Sequence, residues 1–399
     1  MNRDLNNSAA IAGIGATEFT KNAGRSELAL AAEAVVAGLR DAGLTPADVD
    51  GFVTYTSDPN SEIDVARAIG ANDLTFFSRV HYGGGAACAV VQQAAMAVHS
   101  GVADVVVCYR ALRSRSGSRR FGNSAAARVP AKPTTETVNR WDWTLPFGLT
   151  TPASWVAMQA RRYMHDTGAT SVDFGQVSVA ARKHAATNPS AYFYNRPITI
   201  EDHQRSKWIA EPLHLLDCCQ ESDGAVAIVV TSLERARDLA QKPVAIAAGA
   251  QGAAHDQHTM VSYYRPDIGS LPEMGVVARQ LYATAGLGPQ DIDTAVIYDH
   301  FTPFVLPQLE EFGFCKPGEA KDFVHDGRIE LGGELPINTH GGQLGEAYVH
   351  GMNGVAEAVR QIRGTAVNQV PGAAHVLVTA GTGVPTSGLI LGQDPAGRG

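Results

Sequence analysis

The sequence lacks the features that mark membrane, secreted and nucleic-acid-binding proteins. No apolar run reaches the ~18 residues that a transmembrane helix needs, and the polar start shows no signal-peptide pattern. Basic residues form no long run and the net charge is −8, so nothing indicates nucleic acid as a main partner. We therefore expect a cytoplasmic protein without a membrane span.

Cysteine is also scarce, with 5 residues in a chain of 399. Their spacing matches neither a metal site nor a disulfide framework, and an odd count favours reduced thiols, as in the cytoplasm. We expect no metal and no cofactor. The cysteines are Cys88, Cys108, Cys218, Cys219 and Cys315. What is present, 45% hydrophobic and 18% charged residues, is ordinary for a globular chain of two or three domains or one duplicated domain.

Two segments far apart in the chain share one pattern. Residues 43–56 (GLTPADVDGFVTYT) and 286–299 (GLGPQDIDTAVIYD) agree in a single register at leucine, proline, two aspartates, valine and tyrosine. Each copy follows a helical segment, Leu28–Leu39 or Met274–Ala283, and each reads as a Pro-x-Asp turn that leads into a strand. The agreement predicts two halves of common origin.

The pairing continues beyond these segments. Gly83–Ser100 reads as a glycine-opened helix before a buried strand at Asp104–Cys108, and Gly351–Arg363 and His375–Thr379 repeat this order. Strands of near-continuous valine that alternate with helices predict an α/β fold whose sheets are covered on both faces. Two such layers give a duplicated five-layer αβαβα sandwich, with alanine-rich helices in the crowded middle layer.

An inserted segment interrupts the first half. Residues 1–113 and 206–240 form the two parts of the predicted N-terminal half, 114–205 an inserted loop domain, and 241–399 the C-terminal half. Helices are expected at Ser154–His165 and Val172–His184, and a core strand within Asp217–Thr231. Long insertions of this kind usually carry function.

The segment 338–354 (NTHGGQLGEAYVHGMNG) is rich in glycine and is followed by a helical pattern at 355–363. Dense glycine lets a backbone adopt positive φ and approach a ligand closely. The segment therefore reads as a loop that feeds a helix N-terminus, where negative charge is favoured. The alternative is a tight structural turn, but Tyr348 and His350 inside the loop favour chemistry.

Four motifs in order resemble the thiolase superfamily, specifically its sterol-carrier-protein-x or lipid-transfer-protein branch. They are the run around Gly101, the segment 217–225 (DCCQESDGA), the segment 298–302 (YDHFT) and the GGQLG loop at Gly341. The resemblance spans nearly the whole chain, and it implies the same duplicated sandwich that the repeat predicts.

The thiolase catalytic residues are absent from the matching positions. The nucleophilic cysteine's place is taken by Gly84, while Cys88 lies a turn further along the helix, where a small buried side chain is expected. Tyr298–Thr302 replaces the Asn-Glu-Ala-Phe-Ala motif, Ala347–Val349 replaces Gly-His-Pro, and the second cysteine's place falls at about Thr379. Acyl transfer through an acyl-enzyme is therefore not expected.

Two of these losses are matched by Tyr298 and Tyr348, a pattern similar to the thiolase-like steroid side-chain aldolases. That resemblance implies retro-aldol cleavage of a steroid CoA thioester with a tertiary hydroxyl at C17, giving a 17-keto steroid and propionyl-CoA or a similar short acyl-CoA. It also implies at least a homodimer and a complex with an OB-fold, zinc-ribbon acyl-CoA-associated protein. Because the thioester stabilises its own enolate, neither a Schiff-base lysine nor a metal is required, and CoA is part of the substrate.

Candidate site residues follow from these positions. One tyrosine takes the hydroxyl proton and the other protonates the enolate carbon, with the order left open. Asp299 and His300 are candidates to orient Tyr298 or contact the thioester, with a structural hydrogen-bond role as the alternative. The expected catalytic set is Tyr298, Tyr348, Asp299, His300 and His350, and the expected substrate-binding set is His81, Tyr82, Gly84, Gly341, Gly342 and Glu346.

Two further groups have a functional and a structural interpretation. An arginine cluster is a candidate for CoA phosphates or an ordinary solvated or subunit-facing loop. An aromatic group is a candidate sterol-facing wall or the core of the loop domain. The arginines are Arg110, Arg113, Arg115, Arg119 and Arg120, and the aromatic residues are Trp141, Trp143, Phe147 and Trp155.

Two other functions compete with the aldolase. The chain is alternatively a non-catalytic lipid or acyl-CoA carrier that kept the cavity, or a thiolase-type acyltransferase that uses Cys88. Release of ketone and acyl-CoA separates an aldolase from a carrier. Survival of activity without the Cys88 thiol separates it from an acyltransferase.

Overall fold

The computed structural model describes residues 5–81, 83–117, 144–257, 262–381 and 386–397. Its strands are β1 (Ala9–Ala16), β2 (Gly51–Tyr55), β3 (Phe76–Val80), β4 (Val105–Arg113), β5 (Trp208–Ala210), β6 (Leu213–His214), β7 (Asp223–Ser232), β8 (Val244–Gly252), β9 (Thr294–Val296), β10 (His375–Ala380) and β11 (Thr386–Gln393). Its α-helices are α1 (Glu27–Ala42), α2 (Glu62–Ile69), α3 (Ala87–His99), α4 (Pro152–Thr167), α5 (Ser171–Thr187), α6 (Ile200–Arg205), α7 (Leu233–Ala236), α8 (Pro272–Ala285), α9 (Val305–Glu311), α10 (Ala320–Phe323), α11 (Gly342–Gly345) and α12 (Met352–Arg363).

Nine strands form one sheet in the order β3-β2-β4-β7-β1-β8-β11-β10-β9. The first five belong to the N-terminal half and the last four to the C-terminal half. A short antiparallel pairing joins the two half-sheets, between Ala10 and Ala245 and between Ile11 and Val244. In each half, the strand after the repeated turn runs parallel to the strand that follows the glycine-opened helix.

Helices α3 and α12 lie between the two half-sheets and contact strands of both. One buried cluster joins α3 and α12 to Val106 and Ile228 of the N-terminal half and to Val376 and Leu389 of the C-terminal half. Alanine is frequent on α3, and small side chains let helices and sheets approach closely. With α1 outside one half-sheet and α8 outside the other, this arrangement confirms the predicted five-layer sandwich.

Local capping agrees with the sequence at the outer helices. Ser26 is the N-cap of α1, and its hydroxyl accepts a hydrogen bond from the backbone N–H of Ala29. The chain leaves α1 through Gly43 at φ 75°, a left-handed conformation that glycine adopts without strain.

The repeated aspartates play the same part in both halves. The Asp50 carboxylate accepts from the backbone N–H groups of Asp104 and Val105, both at 2.8 Å. The Asp293 carboxylate accepts from Ala374 at 2.7 Å and from His375 at 2.9 Å. Each aspartate therefore ties the repeated turn to the start of β4 or β10.

The described part of the insertion contains helices α4 and α5, which confirms both predicted helices with longer bounds. Trp155 is buried, and its indole N–H donates to the Leu149 carbonyl at 2.6 Å, which favours a core position in the insertion. Phe147 is exposed, whereas Trp141 and Trp143 lie outside the described residues. No helix in the described ranges is long and apolar enough to cross a bilayer.

The sequence did not predict the short hairpin of β5 and β6 or the 3₁₀ turns. The core strand within Asp217–Thr231 begins only at Asp223, because residues 217–222 form a loop. In this loop the backbone of Cys218 forms an isolated antiparallel β-bridge with Phe301. This loop reaches the segment that carries Tyr298, and it therefore brings the end of the insertion beside the candidate site.

Candidate functional site

Tyr298 follows β9 and lies at the N-terminal ends of both central helices. A Cβ placed on Gly84, just before α3, would fall 1.6 Å from the Tyr298 hydroxyl oxygen. A Cβ on Gly351, just before α12, would fall 3.0 Å from a ring carbon of Tyr298 and 3.1 Å from the Ala87 Cβ. The phenol therefore occupies the space that a side chain at position 84 would fill.

Tyr348 lies in the glycine-rich loop and hydrogen-bonds to the Tyr298 side chain. Its backbone N–H donates to the Ser222 hydroxyl at 3.2 Å. Burial raises the pKa of Tyr298 well above its usual range, and the hydrogen bond from Tyr348 opposes this shift only in part. Tyr298 is consequently a neutral phenol at neutral pH.

The backbone of Tyr298 is held on both sides. Its N–H donates to the Thr379 hydroxyl at 2.9 Å, and its carbonyl accepts from the Gln308 amide at 2.9 Å. The Thr379 hydroxyl in turn donates to Gln308 Oε1 at 2.6 Å. Thr379 therefore anchors Tyr298. From the sequence, Thr379 was predicted only to stand at the position of the second thiolase cysteine. No spacing pattern identified Gln308.

Asp299 is buried next to Tyr298 and points away from solvent. One carboxylate oxygen accepts from the Gln343 backbone N–H at 2.8 Å, while Oδ2 has no hydrogen-bond partner within the described residues. Burial raises the pKa of Asp299 to about 7, although hydrogen bonds from the backbone of Gln343 lower it. Gly342 is required here, since a Cβ on it would lie 1.9 Å from Asp299 Oδ2 and its φ is 62°.

A small cavity opens beside these groups, with about 10 Å³ of space for the centre of a water molecule. This is close to what one ordered water needs. Polar lining comes from Tyr298, Asp299, His340, Gln343 and Thr379. Tyr298 lines one wall of this cavity, which is too small to hold a steroid.

His300 stacks on Phe304 with ring centroids 5.0 Å apart and planes 7° apart, and its ring lies 4.8 Å from that of Tyr298. Burial lowers the pKa of His300 to about 3, so the imidazole is neutral. The ring packs against Tyr298 as a flat neutral surface, which fits an orienting role for this histidine.

His350 adopts φ 51°, an uncommon conformation outside glycine. Its Nδ1 accepts from Arg110 Nε at 3.1 Å, and its ring lies edge-on to Tyr348 at 5.1 Å. The other edge of the ring faces Gly83, where a Cβ would lie 4.0 Å from Nε2. His350 thus belongs to the same cluster as the two tyrosines.

Glu346 is a buried residue within the glycine-rich loop. Its oxygens accept from the amide of Asn353 at 2.9 Å and from the amide of Asn188 at 3.3 Å. Burial raises the pKa of Glu346 to about 7, and burial lowers the pKa of neighbouring His340 to about 3. The 3.8 Å contact between them is therefore not an ion pair at neutral pH, because His340 is uncharged.

The remaining predicted binding residues lie at different depths. Gly341, at φ 110°, packs on α5, and a Cβ there would meet the Ala185 Cβ at 2.6 Å. His81 is exposed and its Nδ1 lies 3.4 Å from the Thr56 hydroxyl, on the surface near the start of α3. Tyr82 lies outside the described residues.

The candidate nucleophile of the acyltransferase hypothesis is not in the site. Cys88 is fully buried on α3, and its thiol contacts the Val378 carbonyl at 3.5 Å. Burial raises the pKa of Cys88 far above its usual range, so a reactive thiolate is not available.

The arginine cluster does not act as one group. Arg110 is fully buried and pairs with Asp58 at 2.7 Å, so its assignment to CoA phosphates was wrong. Arg113 and Arg115 lie 3.8 and 4.0 Å from Glu27 and Glu221. Arg119 and Arg120 lie outside the described residues.

Comparison with known proteins places this architecture among thiolase relatives. Residues 252–393 match the family described as thiolase C-terminal domain-like. The chain is 69% identical over 388 residues to the 17-hydroxy-3-oxo-4-pregnene-20-carboxyl-CoA lyase of Mycobacterium tuberculosis, covering 97% of this chain and 100% of that protein. It is 66% identical over 390 residues to the steroid side-chain-cleaving aldolase of Thermomonospora curvata, covering 98% and 99%.

A solved structure of similar shape is the Ltp2–ChsH2(DUF35) aldolase. The TM-score is 0.94 at 65% identity, covering 98% of this chain and 99% of that chain. The similarity therefore extends over both halves and the insertion.

Proposed function

The chain belongs to the thiolase-like steroid side-chain-cleaving aldolases, and we propose that two hydrogen-bonded tyrosines, Tyr298 and Tyr348, carry out its proton transfers. The reaction is retro-aldol cleavage of a steroid CoA thioester. The substrate carries a hydroxyl at C17, β to the thioester carbonyl, and the products are a 17-keto steroid and propionyl-CoA or a similar short acyl-CoA.

The chemistry needs a base, an electron sink and an acid. The hydroxyl loses its proton, the bond from C17 to the α-carbon breaks, and its electron pair forms the thioester enolate while C17 becomes a ketone. The enolate then takes a proton at the α-carbon. Overall one proton moves from oxygen to carbon, so no oxidant, reductant or nucleophile is consumed.

A proton relay explains how a buried phenol can act as base. Because burial raises the pKa of Tyr298, a resting phenolate is disfavoured. In this relay the two hydroxyl groups rotate so that Tyr298 donates to Tyr348. Tyr298 then accepts the substrate proton as it passes its own to Tyr348, which delivers a proton to the α-carbon. Neither phenol then has to hold a charge between steps.

The observation that carries this assignment is the position of the Tyr298 hydroxyl, 1.6 Å from where a Cβ of residue 84 would lie. In the resemblance to thiolases, position 84 is the nucleophile's place, where the carbon–carbon bond is cleaved. A hydroxyl there supports Tyr298 as the group beside the reacting bond. The N-terminal ends of α3 and α12 converge on the same point and favour the negative charge of the enolate.

The other predicted residues have supporting roles in this proposal. Asp299 and His300 orient Tyr298, His350 contacts the reacting groups, and Gly342 makes room for Asp299. Glu346 holds the glycine-rich loop through Asn353 and Asn188. His81 and Tyr82 stay proposed substrate-binding residues, whereas Gly341 packs against Ala185 of α5 and supports the loop.

We propose that the chain works with a partner of the DUF35 type, as the solved Ltp2–ChsH2(DUF35) aldolase does. We also propose that the partner has an OB-fold, that the chain forms a homodimer, and that the protein is cytoplasmic. For the homodimer, the supporting feature is β3, which lies at the edge of the sheet and exposes Phe77.

Product analysis tests the function. The purified chain, alone and with its DUF35-type partner, is incubated with a steroid CoA thioester hydroxylated at C17, and ketone and acyl-CoA are quantified. An aldolase releases both in equal amounts. A carrier binds the thioester and releases neither, and that outcome would overturn the proposal.

A further inference from the structure

A buried chain of polar groups leads from β4 to the two tyrosines. Arg110 on β4 is fully buried and lies between Asp58 and His350. Its Nη1 donates to Asp58 Oδ2 at 2.7 Å and its Nε donates to His350 Nδ1 at 3.1 Å. His350 in turn lies edge-on to Tyr348.

The hydrogen bond from Arg110 determines which nitrogen of the His350 imidazole carries the hydrogen. A guanidinium is always protonated and has only donors, so His350 Nδ1 must be the acceptor and carry no hydrogen. In the neutral ring the hydrogen is then on Nε2. This is the edge that faces Gly83, next to the position filled by the Tyr298 hydroxyl.

The surroundings hold both ends of this chain in place. The Asp58 carboxylate also accepts from the Ala111 backbone N–H at 3.0 Å, and the Tyr55 hydroxyl donates to the His350 carbonyl at 3.3 Å. The guanidinium carbon of Arg110 lies 5.3 Å from the centre of the Tyr55 ring. These contacts keep His350 in its left-handed conformation. Arg110, Tyr55 and Tyr348 contact His350, and Asp58 lies behind Arg110.

We propose that Arg110, backed by Asp58, is a positioning residue that fixes His350 as the Nε2–H tautomer, so that the ring presents a hydrogen-bond donor to the thioester oxygen as the enolate forms. This proposal rests on the proposed aldol reaction. With the hydrogen on Nδ1 instead, a lone pair on Nε2 would face the developing negative charge and oppose it.

Arg110→Lys is the first test variant, because a lysine keeps a positive charge for Asp58 but lacks the Nε donor. Kinetics are measured on the complex with the DUF35-type partner. We expect kcat to fall about 10- to 100-fold with little change in KM, since one oriented donor is worth up to about 10²–10³ in rate. Arg265→Lys is the matched control, because it makes the same change at a half-buried arginine that pairs with buried Glu273 at 3.0 Å elsewhere in the chain.

A double-mutant cycle separates positioning from a general structural effect. The glutamine of His350→Gln places an amide N–H near the position of Nε2 and has no tautomers. If Arg110 acts through His350, Arg110→Lys costs much less in the His350→Gln background than alone. Equal losses in both backgrounds would overturn the proposal.

Nitrogen-15 NMR of histidine-labelled protein reads the tautomer without any reaction, with His350→Gln used to assign the signal. The expected spectrum has an unprotonated Nδ1 in the natural chain and a protonated or mixed Nδ1 in Arg110→Lys. A protonated Nδ1 in the natural chain would contradict the proposal. If the tautomer is as expected but no substrate is cleaved, the aldol function fails and the positioning by Arg110 stands.

If Arg110→Lys fails to fold, the pair Asp58→Asn with Arg110→Met removes both buried charges together. Such joint replacement is often tolerated where loss of one partner alone is strongly destabilising. The double variant must show the same change of tautomer. An unchanged Nε2–H signal in it would overturn the role of Arg110.

Discussion

Gly84 and Tyr298 share one volume, because the Tyr298 hydroxyl lies 1.6 Å from where a Cβ of residue 84 would be. The absence of a side chain at one position is thus matched by the presence of a phenol at the other. A chain with a cysteine at position 84 has no space for this tyrosine in its observed rotamer.

Replacing Gly84 by alanine should abolish activity, because the added methyl group displaces the Tyr298 hydroxyl. We expect kcat to fall by at least about 10², the lower end of what general acid–base groups contribute. Gly392→Ala is the control, since its Cβ would meet its nearest neighbour at an ordinary 3.5 Å. Full activity of Gly84→Ala in a steady-state assay would contradict the placement of Tyr298 at the reacting bond.

Removing either phenol hydroxyl should break the relay. Tyr298→Phe and Tyr348→Phe are each expected to lower kcat by about 10²–10⁴, and the double variant to be little worse than the more damaged single one. Multiplicative losses would indicate two independent groups. Tyr282→Phe serves as the control because it removes a half-buried phenol that donates to the Phe312 carbonyl away from the site.

Thr379→Val tests the backbone anchor of Tyr298. The substitution keeps the shape but removes the hydroxyl that accepts from the Tyr298 N–H and donates to Gln308. A buried unsatisfied N–H costs about 1–3 kcal/mol, so both the free energy of unfolding and kcat should decrease. Thr379→Ser retains the hydroxyl and should recover most of kcat, whereas equal kcat values for the two variants would argue against an anchoring role.

The free energy of unfolding should depend on pH through Glu346. Its folded-state pKa of about 7 lies above the unfolded value of about 4.3, so the folded state binds more protons between these values. The stability from this group is fully present below about pH 4.3 and is lost as pH rises through about 7. Buried His300 and His340, whose folded-state pKa values lie near 3, have the opposite sign and partly mask this loss.

Glu346→Gln isolates that contribution. Compared with the natural chain, the variant should gain on the order of 1–3 kcal/mol in unfolding free energy between about pH 5 and about pH 7.5. Urea titrations at the two pH values measure this difference. If the unfolding free energies of the two proteins change equally between these pH values, Glu346 is ionised in the folded state as readily as in the unfolded state.

Cys88→Ala should leave kcat and KM unchanged and the natural enzyme should resist alkylation of this thiol, since Cys88 is fully buried. The loss of packing is expected to cost about 1 kcal/mol of unfolding free energy, typical of a single core substitution. Loss of cleavage in Cys88→Ala at normal stability would restore the acyltransferase hypothesis.

The duplicated sandwich was predictable because its signals are local and repeated. Asp50 and Asp293 lie at matching positions of one sequence pattern, and both tie a turn to the next strand. The glycine-rich loop before α12 was equally visible, since glycine density and helical periodicity are read directly from the chain. The division at residues 113, 205 and 240 stays a prediction.

The partners of the site residues were not predictable in the same way. Arg110 stands in a surface-like run of arginines in the sequence, yet β4 carries it inward to His350, 240 positions away in the chain. Gln308 and Thr379 meet only because α9 folds back beneath Tyr298. Such contacts depend on tertiary distances, about which composition and spacing say nothing.

The glycine-rich loop packs directly on α5, within the predicted insertion. Gly341 and Gly345 leave no room for a Cβ beside Ala185 of α5, and the N–H groups of Tyr192 and Phe193 donate to the loop at Glu346 and Gly345. A bulkier residue at 185 would lift the loop and shift Tyr348 with it. Because Tyr348 lies in this loop, we expect a substitution that reshapes α5 to change the rate of the proposed proton transfers as well as the packing around Ala185.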